Sequence, residues 1–171
     1  MWENVVAQAT CEEQALLHKT AERLRVQRAA GLSALRFDGQ NVIAHTTLWH
    51  LTNGWYELGT VWVERTRRGR GLSADLYRDL FHDHPERNIL STTTNPAALR
   101  IGAKVGMRCV RFSALPRIVW TETCCCPYAT TGSADNVASC RLRETRCFAQ
   151  VTEETWLRLD RPAEIDFLAL L

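Results

Sequence analysis

Between residues 61 and 73 an apolar, β-branched run breaks into a basic turn, and a helical pattern starts at once. Val61, Trp62 and Val63 read as the end of a strand, Leu72 and Ser73 open a helix, and Gly69 and Gly71 lie between them. Free N–H groups of such a turn and the N-terminus of the helix behind it form a cradle for a pyrophosphate. The two glycines let the backbone wrap closely around an anion, because neither carries a Cβ. Arg67, Arg68 and Arg70 add positive charge at the same place, where a phosphorylated cofactor would sit.

The elements around this turn complete the pattern. Thr10, Cys11, Glu12 and Glu13 read as a capping box, predicting a helix that runs through Leu16, Leu17, Thr20 and Leu24 to an exit at Gly31. Residues 2–8 read as a short strand or an arm. Residues 34–37 and 42–49 alternate as strands about a turn at Asp38 and Gly39, and Asn53-Gly54 signals a second hairpin leading into a strand over 55–63. Beyond the basic turn, Leu72, Leu76 and Leu80, with Tyr77 and Phe81, make a helical stripe that Pro85 ends. Residues 88–94 form a strand. Asn95-Pro96 opens another helix, with Ala97, Ala98, Ile101 and Val105 expected inward and Gly106 stopping it. Residues 107–114 read as a last strand. A meander followed by strand–helix–strand–helix–strand implies a mixed sheet with helices on its faces.

A chain of 171 residues is long enough to bury a core as one domain. Its net charge is only +2, which makes a whole-protein attraction to nucleic acid weak. No apolar run follows a basic start, and none is long enough for a bilayer, so a soluble, cytoplasmic protein without membrane partners is expected. Seven cysteines are present. Cys11 and Cys109 stand alone and read as small buried hydrophobes. The others crowd between Cys124 and Cys147. Without a secretion signal such clustering favours metal over a disulfide framework. Cys124 and Cys126 as one pair, and Cys140 and Cys147 as the other, would make a closed, structural zinc site. The spacing is irregular, with Cys125 between the first two, so buried thiols and redox chemistry stay open.

These residues resemble the GNAT superfamily of acyl-CoA-dependent N-acetyltransferases. The strand 57–63 followed by Arg68, Gly69, Arg70, Gly71, Leu72 and Ser73 is similar to the family's strand and its Arg/Gln-x-x-Gly-x-Gly/Ala turn. Asn95 and Ala98, then Gly106-Met107, are similar to its second motif, and the order of elements agrees over residues 10–121. The resemblance implies a mixed, mainly antiparallel α/β (α+β) sheet flanked by helices, here with a small Cys-rich lobe. The boundaries expected are 1–121 for the acyltransferase core and 122–171 for the Cys-rich segment with C-terminal helices on the same domain. It also implies acetyl-CoA as co-substrate, with backbone groups of residues 61–63 on the pantetheine arm, N–H groups of residues 68–73 on the pyrophosphate, and Asn95 reaching the arm.

The implied reaction is acetyl transfer from acetyl-CoA to a primary amine by direct attack in a ternary complex. An amine must shed a proton to attack, and a carboxylate can collect it. Glu57, on the strand leading to the turn, is the candidate; burial among Trp55, Tyr56 and Trp62 would raise its pKa. His45 and His50 are the alternatives. Gly102 stands where many family members carry the Tyr that protonates the departing thiolate, so the acid must be another group or water. The acceptor, a small amine or a peptide, has no signature, and a homodimer is compatible with the apolar C-terminus. A non-catalytic CoA-binding or protein-interaction module with a zinc lobe is the second reading. A zinc-containing nucleic-acid binder ranks last, because Glu122, Glu144 and Glu153 interleave with its arginines.

Overall fold

The computed structural model describes residues 1–13, 16–93, 95–110, 146–152 and 154–155, with positions 115, 116, 119 and 122. For residues 146–150 only the backbone is described. The chain divides into two units, Met1–Trp49 with Leu58–Pro85, and His50–Glu57 with Glu86–Leu171. Neither ends at residue 121.

The first unit begins with α1 (Trp2–Glu12) and α2 (Ala21–Ala29). The strand or arm expected over residues 2–8 is therefore a helix. Glu3, Val6 and Thr10 lie three or four residues apart and bury one face of it, a spacing only a helix brings to one side. The expected capping box does not form either, since α1 ends where that box would have begun a helix. The Thr10 hydroxyl instead donates to the Ala7 carbonyl at 2.7 Å and accepts the Lys19 N–H at 3.0 Å, a back-bonded arrangement open to threonine inside a helix. The second helix starts at Thr20, whose hydroxyl accepts the Arg23 N–H. Gly31 takes a left-handed φ of 73° beyond its end, as expected of a helix exit.

Strands β1 (Ser33–Asp38), β2 (Asn41–His50) and β3 (Trp55–Val63) follow as read from the alternation. The first two pair antiparallel, Ser33 opposite Thr47 and Asp38 opposite Asn41. Val6 and Ala9 of α1, Leu24 of α2, Val42 and Trp49 of β2, and Trp62 of β3 form one buried cluster. Helix α3 (Leu72–Asp83) packs on β1 and buries Leu76, Tyr77 and Leu80. Glu3 is buried, yet a backbone hydrogen bond, helped by Arg25 at 3.2 Å, holds its carboxyl below the usual range against the pull of burial.

In the second unit the opening of β3 pairs in parallel with β4 (Asn88–Thr93), from Trp55 opposite Asn88 to Glu57 opposite Leu90. Helix α4 (Pro96–Lys104) and β5 (Arg108–Val110) come next, and β6 (Arg146–Gln150) pairs antiparallel with both β4 and β5. A strand from the segment expected to form a small Cys-rich lobe on the same domain thus belongs to the sheet. On α4 the buried residues are Leu99 and Gly102, and Ala97 is exposed. The expected inward set is shifted because apolar residues surround most of this short helix. The fold is a mixed α/β arrangement with a mainly antiparallel sheet and flanking helices. Among the described residues no helix is long and apolar enough to cross a membrane.

Candidate functional site

The turn after β3 has the geometry its sequence foretold. Trp62 points into the α1–α2 cluster, and Val61 and Val63, on the opposite face, are half-buried. A short 3-10 turn over Arg65–Arg67 follows, then Gly69 and Gly71 at φ of 79° and 83°. A Cβ at either glycine would meet open space, but the left-handed conformation there favours glycine alone. Gly71 is the N-cap of α3 and has no side chain to satisfy the helix N-terminus; the first helical bond is from Asp75 N–H to the Gly71 carbonyl. Among the described residues, the N–H groups of residues 69–74 donate to no backbone carbonyl. Arg68 differs, because its N–H closes the 3-10 turn on the Arg65 carbonyl.

The arginines divide their tasks. Arg68 donates from Nε to the Val63 carbonyl at 3.0 Å and pairs with Glu13 at 2.6 Å. It braces the turn on the end of α1. Arg67 pairs with Asp38. Arg70 is exposed and makes no ion pair among the described residues. Glu13, which the sequence places in a capping box, holds Arg68 instead. Ser73 and Leu72 are half-buried in the first turn of α3.

A cavity of about 320 Å³ opens beside this turn, walled by Glu12, Glu13, Trp62, Glu64, Arg65 and Thr66 together with α1 residues Val5, Gln8 and Ala9. Two of its three carboxylates are already paired, Glu13 with Arg68 at 2.6 Å and Glu64 with Arg67 at 3.9 Å, so the charge on its walls is largely balanced.

Of the candidate bases, Glu57 is half-buried and accepts the Thr92 hydroxyl at 3.2 Å. Thr92 is a residue the sequence did not single out. His50 is exposed and stands edge-on to Tyr56. His45 is fully buried; burial above all pushes it down to about 4, and its Nδ1 donates to the Thr60 carbonyl at 3.2 Å. It is a neutral structural group at physiological pH. Asn95 caps α4, its Oδ1 accepting the Ala97 N–H at 2.9 Å. Ala98 is half-buried in the first turn behind it. Cys124, Cys126 and Cys140 lie outside the described residues, as does Cys125. Cys147 is in β6, its backbone opposite Thr92 and Val110. Among the described residues no group of three potential metal ligands gathers.

A strand running into an uncapped, glycine-lined helix start, inside a mixed sheet flanked by helices, defines a protein of the acyl-CoA transferase class. The chain belongs to the acetyltransferase (GNAT) family, whose model matches residues 2–107. The fold is shared with solved structures of low sequence identity. Rv2747 from Mycobacterium tuberculosis, solved with CoA, is 15% identical with a TM-score of 0.61 over 88% of this chain and 93% of that one. N-acetylglutamate synthase from Neisseria gonorrhoeae, complexed with coenzyme A and N-acetyl-glutamate, is 14% identical at a TM-score of 0.61; 86% of this chain matches 31% of that longer one. Ribosomal-protein-alanine N-acetyltransferase from Brucella melitensis is 16% identical, with a TM-score of 0.51 over 63% of this chain and 76% of that one. A search of curated proteins gave no match. As a member of its family the protein is an acetyl-CoA-dependent acyltransferase.

Proposed function

We propose that the protein transfers an acetyl group from acetyl-CoA to a primary amine by direct attack in a ternary complex. The observation that carries this reading is the run of undonated N–H groups at residues 69–74, opening a twelve-residue helix. Such groups and the positive end of the helix dipole suit a pyrophosphate. Residues 69–73 would hold it, with Arg70 beside them and Arg68 bracing the turn. The backbone of residues 61–63 would bond the pantetheine arm, with Asn95 and Ala98 serving it from α4.

Glu57, directly or through water, would collect the proton the amine sheds. Nitrogen then bonds the acetyl carbon and the carbon–sulfur bond breaks, the electron pair leaving on sulfur. With Gly102 where a phenol would stand, the thiolate takes its proton from solvent. A thiol pKa of about 8.5 makes that thiolate a fair leaving group at neutral pH. In the segment 122–171, a structural zinc held by Cys124, Cys126, Cys140 and Cys147 completes the proposal. Localisation in the cytoplasm, a reducing compartment, fits the free thiols of Cys11 and Cys109.

The cradle is tested by calorimetric titration with acetyl-CoA. Wild type should bind saturably, and Gly71→Glu should lose binding, since it forces a side chain into a left-handed position and sets a carboxylate against the phosphates. Undiminished binding by that variant would sink the assignment.

A further inference from the structure

Thr60 is the only residue inside a strand, among those described, with a clearly left-handed φ, at 51°. A β-branched residue avoids that region unless its surroundings over-determine it. Three side chains of β2 do so. The His45 Nδ1–H donates to the Thr60 carbonyl at 3.2 Å, the Trp49 indole N–H to the Thr60 hydroxyl at 3.3 Å, and the Thr46 hydroxyl to the Gly59 carbonyl at 3.2 Å. Gly59 is part of the arrangement, because a Cβ there would come within 3.2 Å of the Trp49 ring.

The way His45 is built in argues that its donor matters. The ring is fully buried and stacks on Trp2 with centroids 5.5 Å apart. A carbonyl can only accept, so the proton is on Nδ1, and Nε2 is left buried without a partner. An unpartnered buried nitrogen costs free energy that a leucine of similar size would avoid. What leucine lacks is the N–H that meets Thr60.

A left-handed residue within a strand rotates the peptide groups that follow and re-aims them. Those groups are residues 61–63. We propose that His45, together with Trp49 and Thr46, forms a clamp on the left-handed Thr60 and thereby aims the backbone of residues 61–63 at the acyl-CoA arm. The inference rests on the assignment of those residues in the proposed function. His45 touches no substrate; it is a positioning residue acting through β3.

The test compares acetyl-CoA affinity, by calorimetry well below the melting temperature, in wild type, His45→Asn, His45→Leu and the double variant His45→Leu/Thr60→Gly. Asparagine carries a donor at the position of Nδ1 and should keep affinity within about threefold, whereas leucine should weaken it at least about tenfold with an unchanged far-UV spectrum. Glycine takes φ of 51° unaided, so adding Thr60→Gly to His45→Leu should restore most of the affinity. A folded His45→Leu protein that binds like wild type would overturn the clamp, as would His45→Asn being as weak as His45→Leu. Where His45→Leu does not fold, Trp49→Phe removes the indole donor together with part of the ring's volume; weakened binding by the folded variant supports the clamp and unchanged binding overturns it. Wild type failing to bind acetyl-CoA would overturn the parent reading and the clamp with it, an outcome distinct from wild-type binding that the variants leave untouched. A residue that merely adds stability would not move the affinity of folded protein.

Discussion

Acid should unfold this protein through His45 before it reaches the carboxylates. Burial pushes the imidazole down from 6.5 to about 4; the hydrogen bond to Thr60 opposes that shift and the Arg28 charge adds to it. In the unfolded chain the same ring takes up its proton near 6.5. Between the two values the unfolded state binds more protons than the folded one, so stability falls as pH falls through this window. At about 1.4 kcal/mol per pH unit, the whole interval is worth about 3 kcal/mol, with about 2 kcal/mol of it lost by pH 5. That is a large share of the usual stability of a domain. Glu3 does not confuse the measurement, because its carboxyl lies below 4.5 in the folded state and its contribution is lost only at lower pH. Urea unfolding curves of wild type and His45→Asn, taken between about pH 7.5 and pH 5, should diverge. Wild type should lose stability steeply below pH 6.5, and the asparagine variant should lack that component. Parallel pH profiles would refute the reasoning.

Glu57→Gln should lower turnover about a hundredfold or more while leaving acetyl-CoA affinity intact; an unchanged rate in a thiol-release assay would clear Glu57 of the base role. Leu24→Ala removes a fully buried side chain from the cluster under β2 and β3 and should cost about 2–5 kcal/mol in denaturant unfolding. A loss below about 1 kcal/mol would mean the cluster had been misread. Protein purified without chelator should carry about one zinc per chain if the four cysteines form a closed site, and metal analysis giving less than about half an equivalent would remove that part of the proposal.

Most of the strands and the turn could be read from local pattern. Alternation marked β1, β2 and β3, and Asp38-Gly39 and Asn53-Gly54 marked their connections, with Gly39, Asn53 and Gly54 all at positive φ. The glycine spacing after β3 foretold the helix start to the residue. What failed was α1. Thr10 to Glu13 carry the chemistry of a capping box, and only the distant Lys19 N–H and Arg68 guanidinium decide otherwise. Arg68 is 55 residues from Glu13 and Lys19 nine from Thr10, so the four-residue motif alone finds neither. The same holds for Thr60, since nothing about a threonine within Gly-Thr-Val-Trp announces a left-handed backbone. Its conformation is imposed by His45 and Trp49 on the neighbouring strand. Thr92 beside Glu57 is likewise a product of parallel pairing, which periodicity does not encode.

The cap at the start of α4 biases the direction in which Asn95 can interact. Its oxygen accepts the Ala97 N–H and keeps a second lone pair, while the NH2 group supplies two donors. An acceptor such as an amide carbonyl can take the NH2 protons, whereas a donor has to share the oxygen with Ala97. Aspartate could close the same helix start yet would present the opposite polarity. At this position asparagine offers its donors more readily than its oxygen, and helix geometry rather than the partner sets that preference.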